Sequence, residues 1–169
     1  MNDLMPLVEP LIPGLRRYAR ALLKDRAAAD DLVQDCLERV ITRWGQRHGD
    51  VRSWVFTILH NLAMSRFRQA ARRGTTVLPE DAEALLSEAP PQESRLLGRD
   101  ILAAIEALPD DQRSVVLLVG VEDLSYADAA KVLGVPVGTV MSRLSRGRER
   151  VRQFLENGPA EPVRLRSVK

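Results

Sequence analysis

The stretch from Leu124 to Arg152 reads LSYADAAKVLGVPVGTVMSRLSRGRERVR, and its hydroxyls and guanidiniums are spaced to grip nucleic acid. On a helix starting near Pro136, Thr139, Ser142, Arg143, Arg146, Arg148 and Arg150 fall on one side. Short polar side chains early on such a helix reach base edges, and cations further along meet phosphates. A second set lies upstream: Thr57, Asn61 and Ser65 follow at intervals of four, trailed by Arg66, Arg68, Arg72 and Arg73. An amide beside apolar pockets can hold an unstacked base while arginines follow the backbone of a single strand. The third set is acidic: Asp30, Asp31, Gln34, Asp35 and Glu38 adjoin Leu32 and Val33. Acids near a helix start complement its dipole, which explains part of the cluster, but its density suggests a protein-docking face.

None of these sets is arranged for covalent chemistry. A nuclease built on Asp30, Asp31 and Asp35 would need a histidine or a second carboxylate-bearing segment, and neither stands at a convincing spacing. His48 and His60 are too isolated for a metal site, and no glycine-rich phosphate loop occurs. We therefore expect no catalytic residue, metal or cofactor.

The elements that must position these groups are helices. Ser125 can cap a first helix with Tyr126, Ala129, Ala130 and Leu133 along one face. Gly134 suits the left-handed residue past its end, and Pro136 suits the start of a second helix with Val137, Val140, Leu144, Val151 and Leu155 inward. Near the N-terminus, Leu11, Leu15, Tyr18, Ala19, Leu22 and Leu23 form a stripe. A helix capped by Asp30 should bury Leu32, Val33, Cys36, Leu37, Val40, Ile41 and Trp44. Another, from about Val51 to Ala71, should bury Trp54, Val55, Ile58, Leu59, Leu62 and Phe67. No alternating strand pattern is present. The expected fold is all-α, with two small helical domains, 1–73 and 95–169, joined by a flexible acidic linker, 74–94.

Composition narrows the class further. The 169 residues are 45% hydrophobic and 28% charged, as in a soluble globular protein, and the net charge is only +2. A nucleic-acid binder so nearly neutral must segregate its charge. Arginines crowd 66–73 and 143–152, whereas 74–94 holds Glu80, Asp81, Glu83, Glu88 and Glu93 without a cation. Cys36 is the single cysteine, so no intrachain disulfide can form, and its apolar neighbours place it in the core. The longest apolar run, Val115 to Val121, is far too short to cross a bilayer, and the first residues lack the features of a signal peptide. The expected address is the cytoplasm.

Taken in order, three motifs resemble one family, the extracytoplasmic function (ECF) sigma factors of the sigma-70 family. ADDLVQDCLERV from Ala29 resembles the part of sigma region 2 that docks on the clamp helices of RNA polymerase. SWVFTILHNLAMSRFRQAARR from Ser53 resembles the segment that melts and reads the −10 element, and LSYADAAKVLGVPVGTVMSRLSRGRERV resembles region 4, the reader of the −35 element. The resemblance implies polymerase contacts at Asp31, Leu32, Gln34 and Asp35. It implies −10 contacts at Asn61, Thr57, Arg66, Arg72 and Arg73, and −35 contacts at Thr139, Met141, Ser142, Arg143, Ser145 and Arg146. Met141 stands where relatives often carry a cation, and Ser145 where a bulkier residue is common. The implied partners are the polymerase core, through its β′ clamp and β flap, promoter DNA and an anti-sigma factor, without insertion into a membrane. The rival reading is an autonomous helix-turn-helix regulator, although no heptad seam for dimerisation is evident.

Overall fold

A computed structural model describes residues 3–74 and 92–158, the side chains of 92–97 excepted. Among the described residues all regular structure is helical. The first half contains α1 (Leu4–Val8), α2 (Ile12–Leu23), α3 (Arg26–Thr42) and α4 (Val51–Arg73), and the second contains α5 (Gln92–Glu106), α6 (Asp110–Val115), α7 (Tyr126–Leu133) and α8 (Val137–Asn157). Most of the expected linker lies outside the described residues, and its last part, from Gln92, is already the first turn of α5.

Local chemistry sets the helix starts. Asp25, not Asp30, caps α3: its carboxylate accepts from the Ala28 N–H at 3.0 Å. Asp30 lies inside the helix and pairs with Arg20 at 3.3 Å. Asp50 caps α4 by accepting from Ser53 N–H at 2.8 Å, and the Ser125 hydroxyl accepts from Asp128 N–H at 3.0 Å at the start of α7. Each bond satisfies a donor that the first helical turn leaves without an intrahelical partner. Gly134, at φ +65°, turns the chain out of α7, and Pro136, at φ −60°, leads it into α8.

Apolar side chains then lock the helices together. Leu15, Tyr18, Ala19, Leu32, Cys36, Val40, Val55, Phe56 and Leu59 fill the first bundle, all fully buried. Ile105, Leu108, Val115, Leu118, Leu124, Ala129, Val132, Val140 and Leu144 fill the second, and the two sets merge into one apolar cluster. Helix α7 packs directly on α4. Four residues expected inside are instead exposed: Ile41, Tyr126, Val137 and Leu155. Tyr126 and Val137 open their helices and Leu155 closes one, where there is little to pack against. Ile41 lies one residue round from Val40, which takes the core position.

Between α6 and α7 the chain forms a π-helical turn, Val116–Val121. Helix α8 lies on it at Gly147, where a Cβ would come within 2.6 Å of Val116 Cγ2. Overpacking there should cost about 1–3 kcal/mol, against about 1 kcal/mol of helix propensity gained. Gly147→Ala is therefore expected to lower unfolding free energy. Adding Val116→Ala should recover stability beyond the sum of the single changes, as a coupling of about 1 kcal/mol in a denaturation cycle.

A buried polar pair gives the fold a pH dependence. Tyr18 Oη and His60 Nδ1 lie 2.9 Å apart. Burial raises the Tyr18 pKa above its ordinary value, so the phenol keeps its proton and donates, and burial lowers the imidazole to about 4. The unfolded histidine binds a proton as pH falls through 6.5, whereas the folded one resists until about 4. The stabilisation is complete above 6.5 and disappears across that interval, a loss of up to about 3 kcal/mol. Urea titrations at pH 7 and pH 4 should show a smaller decline for His60→Gln than for the parent chain.

Candidate nucleic-acid and protein interfaces

The helix-turn-helix displays the expected residues on α8 in three conditions. Met141, Ser142, Ser145 and Arg146 are exposed, and Thr139 is half-buried. Ser142 donates to the Thr139 carbonyl at 3.1 Å, which leaves its hydroxyl oxygen able to accept. Arg143 is drawn aside, with Nε 3.4 Å from an Asp111 carboxylate oxygen at the start of α6. Further along, Arg148 and Arg150 face solvent, but Arg152 is held by Glu149 and Glu156 at 2.6 and 2.7 Å. Hydrogen bonds from Arg152 and then Gln153 keep the Glu149 carboxyl below its ordinary pKa, so this acid stays ionised beside the cation. The outward charge of α8 is thus concentrated at Arg146, Arg148 and Arg150.

Helix α4 carries the second surface. Asn61 is exposed, and Arg72 and Arg73 are exposed in the last turn. Thr57 is half-buried, its hydroxyl donating to the Ser53 carbonyl at 2.8 Å. Arg66 differs from the expectation of an open backbone contact. Its guanidinium donates to the Ala28 carbonyl at 2.9 Å and to Asp35 at 2.6 Å, so it ties α4 to α3.

That ion pair joins two residues assigned to separate faces, Asp35 and Arg66. Asp31, Gln34 and Asp35 are exposed along α3, whereas Leu32 has no exposed surface and supports the face from beneath. Leu32 thus takes the core position that helical period gives it, beneath the residues that the resemblance sets against polymerase. Leu32 lies between the Ala29 and Val33 core positions, so helical period alone places it inward.

Several residues were missed. Trp44 and Trp54, both assigned to the interior, are partly exposed and meet edge to face at 6.2 Å. Arg47 lies 4.2 Å from the Trp44 ring centre, a cation over an aromatic face at the entry to α4. Arg113 is buried and donates to the carbonyls of Ile105, Glu106 and Leu108, completing the C-terminal end of α5. Glu122 is 2% exposed and pairs with Arg17 and Arg52 of the first half. A dense run of cations marks a surface in sequence, but single charges such as Arg113 and Glu122 carry no periodic signal.

Between the halves lies a cavity of about 520 Å³ lined by Leu22, His60, Met64, Phe67, Leu133 and Arg143. Among the described residues no three His, Cys, Asp or Glu side chains converge as metal ligands. No described helix is long and apolar enough to cross a membrane.

Known proteins share this architecture. The family described as Sigma-70, region 4 matches residues 98–151, and the Sigma2 domain of PhyR matches residues 8–60. The ECF RNA polymerase sigma factor EcfG of Rhodopseudomonas palustris is 35% identical, the match covering 95% of this chain and 96% of the relative. The ECF sigma factor SigE of Mycolicibacterium smegmatis is 34% identical over 86% of this chain and 58% of the relative. Among solved structures, the sigma factor RpoE from Bartonella quintana in complex with the anti-sigma factor NepR superposes with a TM-score of 0.80. Its identity is 29%, and the match spans 94% of this chain and all of that one. CnrH in complex with the cytosolic domain of CnrY gives 0.64 at 25% identity, covering 89% and 86%.

Proposed function

The chain belongs to the ECF RNA polymerase sigma factors, and on that premise we propose how its surfaces divide the work of promoter recognition. It is a non-enzymatic initiation factor that directs polymerase core to promoters under the control of an anti-sigma factor. Residues 1–73 act as region 2, 74–94 as linker and 95–169 as region 4 with its tail. Asp31, Gln34 and Asp35 meet the β′ clamp, and region 4 meets the β flap. Thr139, Met141, Ser142, Ser145 and Arg146 meet the −35 duplex, joined by Arg143 once it leaves Asp111. The place of action is the cytoplasm.

The observation that supports this reading is the presence, in one chain, of two unlike polar and cationic helix faces. Helix α8 offers a short polar stretch followed by cations, the pattern of a major-groove reader. Helix α4 offers an exposed amide, Asn61, with arginines behind it, which suits a separated strand. An autonomous duplex-binding regulator has use for the first surface alone.

No bond is made or broken by this chain. Its contribution is differential binding: region 4 sets the position on duplex, and region 2 stabilises the melted strand by holding a base that has left the stack. Extruding a base costs a few kcal/mol, which contacts at Asn61 and the neighbouring cations offset.

Run-off transcription with core polymerase on a genomic promoter library should give discrete starts sharing two upstream motifs. Absence of new starts, with duplex binding by the isolated chain intact, would sink the sigma reading in favour of the autonomous regulator. In the same system, Asn61→Ala should slow open-complex formation about tenfold, a change of about 1.4 kcal/mol. Initial promoter binding should change little. Permanganate reactivity of the melted thymines reads the effect, and an unchanged footprint rules out the role given to Asn61.

A further inference from the structure

Glu122 follows the π-helical turn of the second half, yet its carboxylate is received by the first. Arg17 on α2 grips it as a fork, Nε to Oε1 and Nη2 to Oε2, both at 3.0 Å. Arg52, in the first turn of α4, stands with Nη2 3.7 Å from Oε2 and also donates to the Glu122 carbonyl. Gly14 faces the same carboxylate, and a Cβ there would collide with Oε2. The next residue, Asp123, takes a left-handed φ of +56°, uncommon outside glycine. The glycine, the two arginines and the unusual backbone together make a socket built for one acid.

The socket is asymmetric. Glu122 is 2% exposed, but the Arg17 and Arg52 side chains are 46% and 42% exposed. Arg52 Nε is buried in this packing without a hydrogen-bond partner among the described residues, so Glu122 leaves a donor of that guanidinium unused while the halves are together. A guanidinium fork fits phosphate oxygens as well as carboxylate oxygens. Resting on the sigma reading above, we propose that Arg17 and Arg52 form an anion site for a backbone phosphate of promoter DNA. Glu122 occupies that site in cis while the two halves are packed together.

Length makes the exchange necessary. The −10 and −35 elements are about 25 base pairs apart, roughly 85 Å of duplex axis. Here His60 and Met64 of α4 line the same cavity as Leu133 of α7 and Arg143 of α8. Helix α4 itself is only about 35 Å long. Both DNA-reading helices cannot engage one promoter in this arrangement, and separating them withdraws Glu122 from its socket. Two half-exposed guanidiniums then stand near the entry to the helix that carries Asn61. A phosphate there restores the charge pairing that opening removed, so closure and DNA binding compete for the same two side chains.

The test uses the full chain, polymerase core and a promoter on which the parent holoenzyme initiates. Glu122→Gln, the pair Arg17→Gln with Arg52→Gln, and the charge-keeping pair Arg17→Lys with Arg52→Lys are compared after thermal melts establish that each is folded. Energy transfer between dyes on α3 and α8 reports closure in the isolated chain, and holoenzyme affinity for promoter is followed against salt. Glu122→Gln and the Gln pair should both lengthen the interdomain distance. Only the Gln pair should weaken promoter binding, about tenfold near physiological salt, and reduce the slope of log K against log salt by about 1. The Lys pair should keep the slope and lose affinity, because the charge remains without the fork.

If the Gln pair opens the chain but its holoenzyme binds promoter with parental affinity and slope, the anion site is overturned. If Glu122→Gln leaves the distance unchanged, occupation in cis is overturned. A loss of affinity for core instead of promoter would identify an acidic protein surface as the ligand and overturn the assignment to DNA. A parent chain that fails to initiate anywhere counts against the sigma reading itself, whereas a parent that initiates alongside indistinguishable variants counts against this site alone.

Discussion

Helix α4 has to serve two neighbours and solvent at once, and the rest of the structure is arranged around that constraint. Val55, Phe56 and Leu59 turn into the first bundle against α2 and α3. An adjoining strip, His60, Met64 and Phe67, faces the second half, where α7 and α8 approach. A helix with two packed strips has only a narrow side left for water, and Asn61 with the C-terminal arginines occupies it. Because the apolar cluster runs without a break from one half into the other, the position of α4 fixes where both sets of recognition groups lie. Each half alone is near the lower size at which a single core suffices, so the shared packing stabilises both.

The helix-turn-helix depends on small residues at close approaches. Gly134 supplies the left-handed turn, and Gly147 lets α8 settle on the π-helical turn with Val116 beneath it. With Val140 and Leu144 buried, Thr139 to Arg146 can present their polar and cationic groups along the opposite side. The π turn has a second consequence. It ends with Glu122 N–H donating to the Leu117 carbonyl at 2.8 Å and Leu124 N–H to that of Leu118 at 2.9 Å. This geometry swings Glu122 toward the first half while Leu124 returns to the core. A π turn at a functional junction is a recurring use of that irregularity.

How much of this was legible in sequence follows from the range of each interaction. The helix-turn-helix was read closely because its signals are local: a capping serine, a left-handed glycine and a proline within a dozen residues. The α3 start was placed late because both Asp25 and Asp30 can cap, and only the backbone shows which one accepts a bond from three residues on. Helical period buries Leu32, and only the family likeness sets it at a contact surface. Arg66, Arg113 and Glu122 were illegible for a different reason. Arg66 and Glu122 find partners on other helices, Glu122 in Arg17 more than a hundred residues away, and Arg113 turns back to main-chain carbonyls before its helix; a single charge announces none of these.

These long-range ion pairs also resolve an oddity of composition. For a chain proposed to read two DNA elements, the net charge is only +2. Arg17 and Arg52 are answered by Glu122, Arg66 by Asp35, Arg143 by Asp111 and Arg152 by Glu149 and Glu156. A cation already paired with a carboxylate releases few counterions when it meets a phosphate, so it adds little to indiscriminate DNA binding. Apart from the pairing of Glu122, which is 2% exposed, these pairs are open to solvent and individually weak. On the proposed exchange, they are therefore cheap to give up when polymerase holds the domains apart and brings the correct phosphates near. An isolated chain with all of these arginines unpaired would adhere along any duplex. On that proposal, the acids that pair its arginines keep affinity low until position and sequence are both supplied.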